Sequence, residues 1–198
     1  MNEQENSENR TSKRSVVRKP FKWEELQCII SAGELHKLSR SEAQEQTYRK
    51  ARGQIKDEWE SIYDYILCTK FQFLVDDDRG RKKQSKPTFK EWQSMQKSDS
   101  NAILVLSPND FPYYFEEGIH HYVLWKLGGI VTAIEIENGK KEILQKAGKA
   151  GCLEGSKDSS IFLHWLNPPE LKSLPDVDHV HILFRKPIMN ETGVLVNC

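Results

Sequence analysis

The stretch Asp178-His179-Val180-His181-Ile182-Leu183 sets two of the chain's six histidines one residue apart inside an apolar run. Such a run reads as a strand, and side chains alternate faces along a strand, so residues i and i+2 project from the same side. Two imidazoles are therefore aimed into one region, with an acidic residue beside them. Near neutral pH an imidazole can serve as acid, base, nucleophile or metal ligand. These six residues mark where chemistry or binding would occur, without naming the reaction.

Five of the six histidines follow residue 119: His120, His121, His164, His179 and His181. All lie in or beside expected strands, and neighbouring strands would bring their polar ends to one pocket. Groups suited to anion recognition surround them. Asn109 and Asn167 each precede a proline-containing turn, Lys172-Ser173 precedes Leu174-Pro175, and Arg185 follows the last expected strand. Arginine offers a planar fork for phosphate oxygens and lysine a point charge. Glu116 and Glu117 add carboxylates close to His120.

Three chemistries fit these residues. In the first, which needs no metal or cofactor, His181 attacks a phosphate or abstracts a proton. His179 and Asp178 orient it, since a nucleophilic histidine needs an orienting partner. Asn109, His121, His164, Asn167, Lys172, Ser173 and Arg185 then hold the substrate. In the second, His179, His181 and one of His121 or His164 bind a divalent metal such as zinc, with a carboxylate such as Glu117 completing the set. In the third, the histidines are structural and hydrogen-bond the strands.

The elements that must position these groups are set by composition and patterning. At 198 residues the chain suits one domain with a helical part. Its 29 basic and 29 acidic side chains cancel, which gives no argument for nucleic acid or an anionic membrane as partner. Cys28, Cys68, Cys152 and Cys198 form no CxxC pair, so a zinc ribbon is excluded. Met1 to Arg18 lacks the apolar core of a signal peptide, and no run reaches the roughly 18 apolar residues of a membrane span. The expectation is a cytoplasmic protein with reduced thiols. Lys13-Arg14 and Arg18-Lys19 leave a nuclear address as the second reading of a solvated tail.

Residues 1–19 are too polar to offset the entropy of ordering and are expected to be a disordered tail. Residues 20–198 are read as one domain. Its 20–75 part is helical, 76–100 is a charged loop with a short helix around Phe89 to Met95, and 101–198 is sheet-rich. Trp23 to Ile30 is amphipathic and Gly33 breaks it. Ser39-Arg40-Ser41-Glu42 opens a second helix. Tyr48, Ala51, Ile55, Trp59, Ile62, Tyr63, Ile66 and Leu67 then recur at helical spacing as one buried stripe, with a break possible at Gly53. Strands are expected at 102–106, 121–125, 160–165 and 177–184. Residues 130–136 read as a further strand turning at Asn138-Gly139, with a helix over 130–147 as the alternative. Gly148 to Ser159 reads as a loop.

Asn109 to Trp125 (NDFPYYFEEGIHHYVLW) and His164 to Arg185 (HWLNPPELKSLPDVDHVHILFR), with Trp23-Glu24-Glu25-Leu26, Leu38-Ser39-Arg40-Ser41 and Tyr48, resemble the fungal N-acetylglucosamine-induced protein 1 family. The resemblance covers roughly residues 20–190. It implies a link to amino-sugar response and supplies no activity. A second resemblance, to the histidine triad superfamily of nucleotide hydrolases and transferases, rests on Asn109-Asp110-Phe111-Pro112 followed by His121 to Leu124. It rests also on Ser173-Leu174-Pro175 with His179-Val180-His181-Ile182. It implies that His181 attacks a phosphate. The chain departs from that pattern at the third position, which is Leu183, and in the residues between Pro175 and His179.

The expected class is α+β: a helical N-terminal part packed on a mostly antiparallel sheet, similar to a histidine triad fold. The expected function is hydrolysis or transfer of a phosphate ester on a nucleotide or nucleotide sugar. A non-catalytic ligand-binding or regulatory protein is the alternative, and a metal-dependent hydrolase the third.

Overall fold

The computed structural model describes residues 16–78, 80–95, 102–148, 161–172, 174–186, 188–189 and 195–196. The first amphipathic stretch forms α1 (Trp23–Ser31), which turns Trp23 and Leu26 inward. Gly33 follows at φ 69°, a left-handed conformation that glycine adopts without strain. A 3-10 turn over Leu35–Lys37 leads to α2 (Glu42–Glu58). Ser41 caps α2. Its hydroxyl accepts from the Gln44 N–H at 3.3 Å, and the Gln44 side chain accepts from the Ser41 N–H at 3.0 Å.

The helical stripe breaks at Trp59 to Ser61 rather than at Gly53, which lies inside α2. Trp59 is extended, and Ser61 caps a new helix, α3 (Ile62–Thr69), by accepting from the Asp64 N–H. No residue of α2 is fully buried; burial concentrates in Trp59, Ile66 and Leu67. Where the expected helical part ends and the expected charged loop 76–100 begins lies an antiparallel pair, β1 (Leu74–Asp76) and β2 (Gln84–Lys86). Asp64 accounts for this. Its buried carboxylate accepts from the Ser85 N–H at 3.0 Å and the Ser85 hydroxyl at 2.8 Å, which ties β2 to α3. The short helix α4 (Phe89–Met95) lies where expected, with Thr88 and Glu91 exchanging capping bonds.

Strands β3 (Ile103–Pro108) and β4 (Ile119–Leu127) precede α5 (Ala133–Gly148), β5 (Phe162–Leu166) and β6 (Asp178–Arg185). Two short strands, β7 (Ile188–Met189) and β8 (Leu195–Val196), pair with each other. The central sheet has the order β3-β4-β6-β5, antiparallel throughout. The strand expected at 130–136 and the turn at Asn138-Gly139 are overturned in favour of the helical alternative: residues 133–136 and Asn138-Gly139 belong to α5, and 130–132 lead into it. Thr132 and Glu135 form a capping box, and Ile136, Gly139 and Ile143 fall on one buried helical face. Gly139 is the point of close approach, where a Cβ would sit 3.6 Å from Leu124 and Ile182. A turn there would have lost that contact.

The sheet is buried on both faces. Against one, α5 packs Ile136 and Ile143 onto Leu124, Val180, Ile182 and Phe184. Against the other, α1 and the 3-10 turn bring Trp23, Leu26 and Leu35 to Trp165 and Leu183. Helices α3 and α4 bring Ile66, Leu67 and Trp92 to Leu127 and Val177 on that side. The class is α+β, with the N-terminal helices on the sheet as expected and α5 on its reverse. Residues 1–15 of the expected tail, 149–159 of the expected loop and Ser160 of the expected strand lie outside the described residues. Val17, within the expected tail, donates its N–H to the Arg40 carbonyl at 3.0 Å. Among the described residues no helix is long and apolar enough to cross a membrane.

Candidate functional site

Strand register decides which histidines meet. His179 pairs with Trp125, His181 with Val123 and Trp165, and Leu183 with His121. Alternation along β4 and β6 then puts His121, His179 and His181 on the face toward the N-terminal helices. All three are buried, at 6%, 3% and 7% exposure. The third position of the H-x-H pattern is Leu183, and its cross-strand neighbour is His121. The third imidazole of this face thus comes from β4.

The rings are joined directly. His121 Nε2 lies 2.9 Å from His181 Nδ1, and the Asn167 side-chain amide nitrogen lies 3.1 Å from His181 Nε2. The proton positions follow from one obligate donor. The Trp165 indole N–H can only donate, and it donates to Asn167 Oδ1 at 3.1 Å. That turns the Asn167 amide N–H toward His181 Nε2, which must accept and so carries the lone pair. His181 then holds its proton on Nδ1 and donates it to His121 Nε2. Asn109 is fixed the same way. Its Oδ1 accepts the Phe111 N–H at 2.9 Å, which turns its amide nitrogen toward the edge of the His121 ring, 3.3 Å from either ring nitrogen. His179 holds its proton on Nδ1, donating to the Val177 carbonyl at 3.0 Å, so its Nε2 is the acceptor.

Aromatic rings enclose this chain of bonds. Trp165 stacks on His181 with centroids 4.8 Å apart and planes within 13°. Tyr113, Phe115 and Trp165 all lie within 6 Å of the His121 ring centre. Burial pushes the His121 pKa down to about 3, with the Arg40 charge adding to the effect. Burial likewise holds His179 below the ordinary histidine value, against a smaller opposing pull from the Val177 carbonyl. Both rings are neutral at pH 7. Arg40 donates from Nε and Nη2 to the Phe111 carbonyl at 3.2 and 3.1 Å, and its guanidinium lies 3.9 Å from the Tyr48 ring centre. A largely buried cation therefore stands against Phe111, two residues from Asn109, with a 3.4 Å contact to Glu45 opposing its charge.

Of the expected site residues, His121, His179, His181, Asn109 and Asn167 come together. Asp178 does not. It is an odd number of residues from both strand histidines and so faces α5, where it accepts from the Val131 N–H at 2.8 Å and Lys172 Nζ at 2.9 Å. Burial alone would raise its carboxyl, but these two donors outweigh it and hold the pKa below the usual range. The expected orienting role of Asp178 toward His181 is thereby corrected: His121 and Asn167 occupy the two ring nitrogens. Lys172 is spent on Asp178. His164 is also on the α5 face, where partial desolvation of its ring first and then the Lys140 charge lower its pKa, with Glu137 opposing. His120 stacks on Phe184 there. Arg185 lies over the Trp23 ring, 4.9 Å from its centre, and reaches Glu24 at 3.4 Å. Ser173 lies outside the described residues.

The convergence expected of five histidines is therefore one of three, with His120 and His164 on the reverse face. Among the described residues no group of three or more His, Cys, Asp or Glu could hold a metal. Sequence reasoning missed Trp165, Tyr113, Phe115 and Arg40. Trp165 had a usable signal, since it shares parity with Asn167 in β5. Arg40 had none beyond its place before a helix. The open surface depression lined by Asp57, Glu58, Lys82 and Lys83 shares no residue with this cluster.

Comparison with known proteins gives a family and a fold. The family described as "Protein of unknown function (DUF3605)" matches residues 22–185. The N-acetylglucosamine-induced protein 1 of Candida albicans is 28% identical over 181 residues, spanning 84% of this chain and 68% of that protein. An uncharacterized protein of Saccharomyces cerevisiae is 27% identical over 175 residues, spanning 84% of this chain and 80% of its own. The crystal structure of HTC1 shares the fold at a TM-score of 0.53 and 22% identity, over 84% of this chain and 86% of that one. These findings bear out the resemblance to the N-acetylglucosamine-induced protein 1 family. None of them supports the histidine triad resemblance.

Proposed function

This chain belongs to the DUF3605 family, whose function is unknown, and from its own residues we propose that it acts on a phosphorylated small molecule, a nucleotide or nucleotide sugar, through His181. The observation that carries this reading is the tautomer imposed on His181. Trp165 and Asn167 fix the lone pair on Nε2, and His121 takes the proton on Nδ1. A neutral imidazole oriented through one nitrogen offers the other as nucleophile or general base. His121 replaces Asp178 as the orienting partner. In the resting site the Asn167 amide occupies Nε2, and substrate binding displaces it. Arg40 supplies positive charge for a phosphate, while Asn109 and Asn167 supply neutral donors.

A second reading, non-catalytic binding, is favoured by one fact: both ring nitrogens of His181 already have partners inside a buried aromatic layer. On that reading the same site senses a ligand, and the N-acetylglucosamine-induced relative connects it to amino-sugar response. One assay separates the two. Turnover of a panel of nucleotides and nucleotide sugars is measured with wild type and His181→Asn. The catalytic reading expects hydrolysis or transfer by wild type and a loss of at least a hundredfold in the variant. Ligand-induced thermal stabilisation with no turnover by either protein supports the binder.

A further inference from the structure

The histidine face is closed, so what closes it decides how a ligand enters. Helix α1 covers the Leu183 side through Trp23 and Leu26, and α3 and α4 cover the Leu127 side. Over His121 the cover is neither helix nor sheet. Residues 110–118, the connection between β3 and β4, lay the Tyr113 and Phe115 rings 5.8 and 5.4 Å from the His121 ring centre. The Tyr114 N–H of this connection donates to the Ser39 carbonyl at 3.0 Å, and the Phe111 carbonyl accepts twice from Arg40. Further bonds come from residues 16–21, a short strap ahead of α1. The Phe21 N–H donates to the Tyr114 carbonyl at 2.8 Å, and the Phe21 carbonyl accepts the Glu116 N–H at 3.1 Å. At the strap's other end the Val17 N–H donates to the Arg40 carbonyl. Phe21 is half-buried in the α1 cluster, while Arg18 and Lys19 are exposed.

We infer that residues 16–21 are a latch and residues 110–118 the lid it holds shut over His121, so that release of the latch admits solvent and ligand to the histidines. The inference rests on the reading of the histidine face as a ligand site and specifies how that site opens. Three features carry it. First, the rings over His121 belong to a connection outside the sheet, and such segments open at lower cost than paired strands or packed helices. Moving α1 instead would unpack Trp23 and Leu26 from Leu183. Second, the latch grips the lid at the residue that matters. Phe21 bridges Phe115, and its two backbone bonds go to the residues on either side of that ring. Freeing Phe21 therefore removes both. Third, the lid has a pivot. Gly118 has a φ of 84°, and nothing lies within 4 Å of where a Cβ would stand. Rotation there carries Phe115 off His121 and leaves β4 paired with β6 from Ile119 onward.

The test reads amide hydrogen exchange, and acylation of histidines by diethyl pyrocarbonate, in the full chain without substrate. Wild type is compared with Val17→Pro, which deletes one latch N–H and no core side chain, and with Phe21→Ala, which deletes the latch ring. In wild type the Phe21, Tyr114 and Glu116 amides are expected to exchange as a group, at least about tenfold faster than those of Val123 and Val180 in the sheet. In each variant the Tyr114 and Glu116 amides are expected to exchange faster still. His121 is expected to be acylated about tenfold faster, the value of one lost hydrogen bond, while exposed His36 and the sheet amides keep their wild-type rates. Should Phe21→Ala also speed exchange in the sheet, Val17→Pro decides. Latch and lid amides as protected as the sheet in wild type, or His121 acylation unchanged in Val17→Pro, overturns the latch. Because no substrate is present, these readings stand apart from turnover. Absence of turnover removes the catalytic reading and leaves the latch, whereas unchanged His121 acylation removes the latch whatever the turnover.

Discussion

At its ordinary value His121 would take up a proton near pH 6.5, but burial first and the Arg40 charge second push it to about 3 in the fold. Unfolding restores the ordinary value. Below about pH 6.5 the unfolded chain binds the extra proton, so the stability gained by keeping His121 neutral is complete above that pH. It is lost as pH falls toward about 3. Between about pH 6.5 and 5 the loss is on the order of 2 kcal/mol. His179, shifted the same way, adds to it. Denaturant titrations across that range are expected to show falling stability, with a shallower slope in His121→Phe; equal slopes would contradict the assignment. Asn167→Ala strands the Trp165 N–H and His181 Nε2 together and is expected to cost about 2 kcal/mol at pH 7, read from the shift in denaturation midpoint. At this scale the sequence was legible where parity alone decides. His179 and His181 share a face because they are two apart. The same rule, applied to Asp178, sends it to the opposite face. His164 could not be placed without knowing the register of β5 against β6.

Among the elements, α5 shows what local signals leave out. Asn138-Gly139 is good turn chemistry, yet Gly139 sits mid-helix because α5 must come close to Leu124 and Ile182. The deciding local signal was Thr132-x-x-Glu135, a capping box. Because a Cβ at 139 would meet its neighbours at an ordinary 3.6 Å, Gly139→Ala is expected to stabilise the protein by up to about 1 kcal/mol through helix propensity. Gly139→Leu is expected to destabilise it by about 1–3 kcal/mol through overpacking. Thermal unfolding of the pair checks both signs. The β1–β2 pair was not legible at all. Its sequence is charged, and it is held by the buried Asp64 carboxylate of α3 and by backbone bonds from Lys83 to Glu58 and Glu60. The four strands of the main sheet were legible from apolar runs and β-branched content, and their ends moved by only a few residues.

Across the whole molecule, the sheet separates two layers with different work. The α5 layer is apolar packing edged by the Lys126–Glu135 and Lys172–Asp178 pairs. The N-terminal helices cover the other face, and the histidines lie there between two apolar clusters, one under α1 and one under α3 and α4. Leu183 belongs to the α1 cluster and is fully buried. Leu183→His, which would complete an H-x-H-x-H run, is therefore expected to cost about 2–4 kcal/mol rather than improve the site, because it places a third imidazole against Trp23 and Leu26. A chemical denaturation midpoint equal to wild type would contradict that. The segregation of helices and strands was readable from the chain, but this layering was not, since it depends on which face each strand turns to α1.

The reactivity proposed for His181 depends on where its ring carries the proton. Nitrogen-15 chemical shifts of the His181 imidazole at pH 7 test this directly. The hydrogen-bond chain predicts a protonated, pyrrole-like Nδ1 and a lone-pair, pyridine-like Nε2. The reverse tautomer, or a doubly protonated ring, would contradict His181 Nε2 as the reacting atom.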